Sequence, residues 1–167
     1  MAMALPTTAL SQPGQASPPL QQIDGGPAVP VSPYFSHLIA GDDQQGVLSG
    51  VAFPLVSRLK PGVLRQPAAV LEGRWLTQPL FLVGGDDGSY LWLHRHGEGL
   101  RRIGAAGIVL SAANEAAFKR MQKLAGEHGL PIAPGPDAWL EQQLLARGVG
   151  VLPVLIGTDG RARQEAP

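Results

Sequence analysis

From residue 78 onward the chain alternates regularly between short apolar runs and helical patterns, with no internal repeat of sequence. Pro79-Leu80-Phe81-Leu82-Val83 is closed by Gly84-Gly85, and its unbroken apolar character suits a strand buried on both faces. Residues 89–103 then predict a helix with Leu93, Leu100 and Ile103 near one face, stopped by Gly104. Gly97 and Gly99 weaken it by about 1 kcal/mol each relative to alanine. Gly107-Ile108-Val109-Leu110 is the second strand. Asn114 caps the next helix, Glu115 sits in its first turn, and Phe118, Met121, Leu124 and Ala125 form its apolar stripe up to Gly129. Residues 130–133 make a third strand. Asp137 caps a helix over 138–147 that ends at Gly148, with Leu140, Leu144 and Trp139 on its buried side. Residues 153–156 form the fourth strand, and Thr158-Asp159-Gly160 turns into a short antiparallel last one. The order is β-α-β-α-β-α-β-β. Strands alternating with helices predict a largely parallel sheet with right-handed crossovers, antiparallel at its end.

The region before this rhythm is built differently. Residues 1–33 hold seven of the 16 prolines and one charge, Asp24. Such a segment buries too little apolar surface to offset its ordering entropy, and it reads as disordered or as the remnant of a leader. Met3 to Ser11 resembles the end of a secretory signal, although its basic start is missing: the first Lys or Arg of the chain is Arg58. The expected location is periplasmic if a leader precedes or was removed, and cytoplasmic otherwise. Residues 34–77 read as an extended docking segment. Tyr34 to Ile39 predicts a helical turn, residues 51–59 an extended stretch in which Pro54 argues against a central strand, and Lys60-Pro61-Gly62 a turn. Residues 78–167 form the α/β domain.

Composition narrows the chemistry. There is no cysteine, which excludes thiol–disulfide exchange, thiolate metal sites and cysteine nucleophiles. Net charge is zero and charged residues are only 16% of the chain, so nothing favours a direct nucleic-acid partner. No apolar run approaches the roughly 18 residues of a membrane span. No serine lies in a nucleophile-elbow context. His94 and His96 point to different helix faces and do not chelate together. Neither a cofactor nor a small-molecule substrate is expected.

Two stretches compete as functional sites. Gly84-Gly85-Asp86-Asp87-Gly88-Ser89 follows a strand and opens a helix. Its aspartates oppose a phosphate, and the simplest reading is a turn with helix-capping carboxylates. An acidic pair there also allows a degenerate receiver-like regulatory domain, or a metal-dependent hydrolase using Asp86 and Asp87. A receiver needs an acceptor aspartate after its third strand, and Leu130–Ala133 offers none. The second stretch is Val149 to Ile156 with Pro153 at the start of a buried strand. With the preceding order of elements it resembles thioredoxin-like folds, which place a cis-proline there. The resemblance implies a cis Leu152–Pro153 bond. It also implies a groove beside Leu152 and Pro153 that pairs with an extended segment of a partner. The redox position of that fold would fall on Ser111-Ala112-Ala113-Asn114, which carries no thiol. Leu152, Pro153, Ser111 and Asn114 are therefore the expected partner-binding residues.

The runs Gln78 to Gly84, Asp86-Asp87, Leu91-Trp92-Leu93, Gly104 to Val109 and Leu152 to Ile156 together resemble integrating conjugative element proteins. Pro33-Tyr34-Phe35, Phe53-Pro54-Leu55 and Leu59 to Val63 add to the likeness. The resemblance implies a non-enzymatic accessory component of a bacterial conjugative DNA-transfer, type IV secretion-like apparatus. It would act as a protein-binding module among other conjugation-apparatus proteins, and no catalytic residue is carried over.

Overall fold

The computed structural model describes residues 51–135 and 137–167. The expectations for residues 1–33 and for Tyr34 to Ile39 lie outside them. Among the described residues there are three α-helices and eight strands: β1 Lys60–Pro61, β2 Ala68–Ala69, β3 Leu80–Gly84, α1 Asp87–Arg102, β4 Ala106–Ser111, α2 Glu115–Glu127, β5 Ile132–Pro134, α3 Ala138–Ala146, β6 Val151–Leu152, β7 Val154–Ile156 and β8 Arg161–Arg163. The fold is a mixed α/β layer structure. Six strands stand in the order β2-β8-β7-β3-β4-β5, and β1 pairs separately with β6. β3, β4 and β5 are mutually parallel, while β7 is antiparallel to β3, and β8 and β2 continue antiparallel.

β3 sits where the parallel and antiparallel halves meet, and its sequence explains why it is apolar throughout. Phe81 and Val83 pack into one cluster with Leu93, Leu100, Phe118, Met121 and Leu124 of α1 and α2. Leu80 and Leu82 face the opposite cluster with Leu140 and Leu144 of α3. Alternation along a strand with both faces covered leaves no position for a polar residue. All three helices are capped at the expected residues. Asp86, Asn114 and Asp137 each accept a backbone N–H three residues on, and Gly104, Gly129 and Gly148 follow the last turns with φ of 68, 67 and 78°.

Gly97 of α1 has a purpose beyond its cost in helix propensity. A Cβ on Gly97 would collide with the His128 ring at the end of α2, so Gly97 lets α1 and α2 approach. Gly107 of β4 lies directly opposite Phe81, whose ring covers it.

The expected turn at Lys60-Pro61-Gly62 is instead a short parallel strand. Lys60 N–H donates to the Gly150 carbonyl and Gly62 N–H to the Leu152 carbonyl, both at 3.0 Å. Backbone groups alternate along a strand, so Pro61, the one residue without an N–H, falls on the outer edge where none is needed. Upstream, residues 55, 57 and 59 are buried and 56, 58 and 60 exposed, the period of an extended chain. Leu55 joins the α1/α2 cluster and Leu59 the α3 cluster. This stretch therefore straps across the end of the sheet from one core to the other.

Candidate functional site

The carboxyl ends of β3 and β4 and the start of β7 share one edge of the sheet, the usual place for binding in α/β folds. The Leu152–Pro153 bond is cis, as expected. The Leu82–Val154 register puts Pro153 beside the end of β3. Ser111 pairs with Gly84 on the other side of β3. Pro153 and Ser111 are therefore two strand spacings apart, about 10 Å. The loop that the register brings beside Pro153 is Gly84-Gly85-Asp86, not Ser111 to Asn114. The expected four-residue constellation does not converge, because β3 stands between its halves.

The individual residues are also committed elsewhere. Leu152 and Pro153 are buried. The backbone before Pro153 is left unpaired by the main sheet, as the sequence reading requires, but β1 of the same chain takes it, at Lys60↔Val151 and Pro61↔Leu152. Asn114 spends its side chain on the Ala117 N–H at 2.9 Å. Ala112 exchanges two backbone bonds with Leu55, at 2.8 and 3.0 Å. Both flanks of this edge are thus closed by the strap.

The acidic loop is a turn built from its own side chains. Ser89 N–H donates to Asp86 Oδ1 and Ser89 Oγ–H to Asp86 Oδ2, each at 2.9 Å, while Gly84 N–H donates to Ser89 Oγ at 2.9 Å. Ser89 is fully buried. Asp87 points outward and pairs with Arg120 at 2.7 Å, and the Arg120 guanidinium lies over the Tyr90 ring, 4.0 Å from its centroid. The Asp87 hydrogen bond holds the Arg120 guanidinium above its ordinary range, against a smaller effect of burial. The capping reading of this loop holds: Asp86 and Ser89 tie down the entry to α1.

The family assignment rests on most of this domain and on part of what precedes it. The chain belongs to the family described as protein of unknown function, DUF2859, which matches residues 14–161. No curated protein and no solved structure matches the chain. Among the described residues no three His, Asp or Glu side chains gather as metal ligands, and no helix is long and apolar enough to cross a membrane. His94 packs edge-on against His128 and His96 against Trp92, on separate sides of α1. Burial, and then the charge of Arg95, push the His96 imidazole below its ordinary range, against an opposing pull from Glu165.

Gln164 was not singled out by the sequence, and it organises this end of the family member. Its Oε1 accepts the Leu64 N–H at 2.8 Å, and its Nε2 donates to the carbonyls of Gly62 at 2.9 Å and Pro153 at 2.8 Å. Its own carbonyl accepts the Trp92 indole N–H at 2.6 Å. One side-chain amide therefore ties the strap, the Pro153 strand and the chain end together. Glu141 of α3 does the same farther along. Only 5% exposed, it takes the Arg58 N–H on Oε2 at 3.2 Å with the Arg58 Nε at 3.5 Å. No local motif marks either residue, since each acts across more than 80 positions of sequence.

Trp75 and Trp139 pair at 5.9 Å between centroids, and Trp92 lies 6.5 Å from Phe81.

Proposed function

We propose that this domain is a non-enzymatic protein-binding module with a thioredoxin-like layout, serving as an accessory of a bacterial conjugative DNA-transfer apparatus. One observation carries the non-enzymatic half. At the edge of the sheet where α/β enzymes place their reacting groups, Asp86, Ser89 and Asn114 are each consumed in capping a helix, and the backbone is closed by residues 55–62. Each of these side chains already has a hydrogen-bonding partner within the protein, which favours a structural over a catalytic role. The order of elements and the position of Pro153 support the thioredoxin-like reading. The receiver-like alternative is the weaker, because β7 runs antiparallel to β3, and β8 and β2 each run antiparallel to their neighbour. The conjugative setting rests on the sequence resemblance, and with it go a periplasmic location after loss of a leader and partners among the proteins of the apparatus.

The test is a mating assay with the gene deleted from its element and supplied in trans. Transfer falls on deletion and returns with the wild type and with Asp87→Asn, whose side chain is 83% exposed and holds no cap. Unchanged transfer on deletion overturns the conjugative role. Failure of a folded Asp87→Asn protein to complement, with magnesium-dependent turnover that the same variant abolishes, overturns the non-enzymatic one.

A further inference from the structure

The strand-addition groove beside Pro153 is already filled by the chain itself, so a partner needs another seat. Immediately beyond the Gln164 clamp lies a cleft of about 660 Å³. Its origin is a break in pairing. β2 meets β8 at Ala68↔Ala162 and Ala69↔Arg161, and the ladder stops there. Farther along, Leu64 is held by the side chain of Gln164 rather than by a backbone partner, so residues 63–67 stand away from 163–165.

Its lining is cationic on an apolar wall. Arg65, Arg161 and Arg163 line it against two carboxylates, Asp159 and Glu165. Asp159 is spent on Arg163, at 2.6 Å, and on the Arg161 N–H at 3.1 Å. Burial raises the Asp159 carboxyl, but these hydrogen bonds and the Arg163 charge outweigh it and hold the group below its ordinary range. Three arginines against two carboxylates leave one surplus positive charge, carried by Arg65 and Arg161, both exposed. The Arg163 Nε–H is buried and has no acceptor among the described residues. Val63, 79% exposed, stands on the same wall with Leu64 and Pro67.

We infer that this cleft binds an extended acidic segment of a partner protein, its carboxylates taken by Arg65 and Arg161 and its apolar side chains by Val63 and Pro67. Guanidinium forks match carboxylates bidentately, which gives such a site direction as well as attraction. An inorganic anion would satisfy the arginines and leave the apolar wall bare. This rests on the protein-binding reading and gives it a site.

The experiment uses the full-length protein and a fluorescein-labelled peptide of alternating glutamate and leucine, read by fluorescence anisotropy. Binding is saturable, and the Arg65→Ala/Arg161→Ala variant weakens it by about tenfold or more, the scale of a lost charged hydrogen bond. Exchanging glutamate for glutamine in the peptide costs as much, while Arg95→Ala/Arg102→Ala, on the solvated face of α1, changes nothing. Absent binding, equal binding by the Arg65/Arg161 variant, or equal binding of the glutamine peptide overturns the inference. Inorganic phosphate that binds with the same arginine dependence and displaces the peptide fully overturns its peptide half. In the mating assay, full complementation by the Arg65/Arg161 variant after a deletion that abolishes transfer defeats this cleft while leaving the module standing.

Discussion

Replacing Gln164 with alanine removes three hydrogen bonds, to the Leu64 N–H and to the Gly62 and Pro153 carbonyls. A typical net bond is worth about 0.5–1.5 kcal/mol, and a buried group left unpaired costs about 1–3 kcal/mol. The Gly62 carbonyl is exposed and water replaces the amide there. The Leu64 N–H and Pro153 carbonyl are partly buried, so the loss is about 2–3 kcal/mol. For a domain of this size that lowers the Tm by roughly 5–10 °C. Urea unfolding followed by tryptophan fluorescence reads it, because Trp92 bonds the backbone carbonyl of residue 164 and keeps that bond in the variant. Gln164→Glu sharpens the test. At neutral pH its carboxylate still accepts from Leu64 but faces two carbonyls with no proton to give. It is therefore less stable than the alanine variant. Facing those carbonyls raises its folded pKa above the unfolded value, so its stability recovers as pH falls and the carboxyl gains a proton. An alanine variant within about 0.5 kcal/mol of wild type, or a glutamate variant no worse than alanine at neutral pH, refutes the clamp.

Gly107→Ala puts a Cβ into the Phe81 ring, which is fully buried with no room to retreat, and is expected to cost about 2–3 kcal/mol in chemical denaturation. Phe81→Leu in the same background recovers part of that loss if the ring is the obstacle. The lowered Asp159 carboxyl contributes stability that is present at neutral pH, above its unfolded pKa, and is lost as pH falls through its folded pKa. Asp159→Asn flattens that acid limb of the stability profile. Because the Asp159 side chain is half exposed, the difference at neutral pH is at most about 1 kcal/mol.

The local grammar of this chain was complete in its sequence. Caps at Asp86, Asn114 and Asp137, glycine stops at 104, 129 and 148, and apolar runs of strand length each act over a few residues, so each was legible where it stood. The unbroken run of β3 announced burial on both faces for the same reason. What lay beyond reach was everything made by partners far apart. Lys60-Pro61 carries the signature of a turn, and only pairing with Val151-Leu152, some ninety positions later, makes it a strand. Ser111 and Pro153 both lie at the carboxyl edge, yet strand order sets β3 between them, and order is a property of the whole sheet. Gln164 and Glu141 look like ordinary solvated polar residues, and they acquire their roles from backbone groups that the strap brings to them. Local propensity chose the helices and the longer strands of this protein. Long-range backbone pairing, which has no local signature because its energy is shared between distant segments, chose how they close the edge and where a cleft remains open.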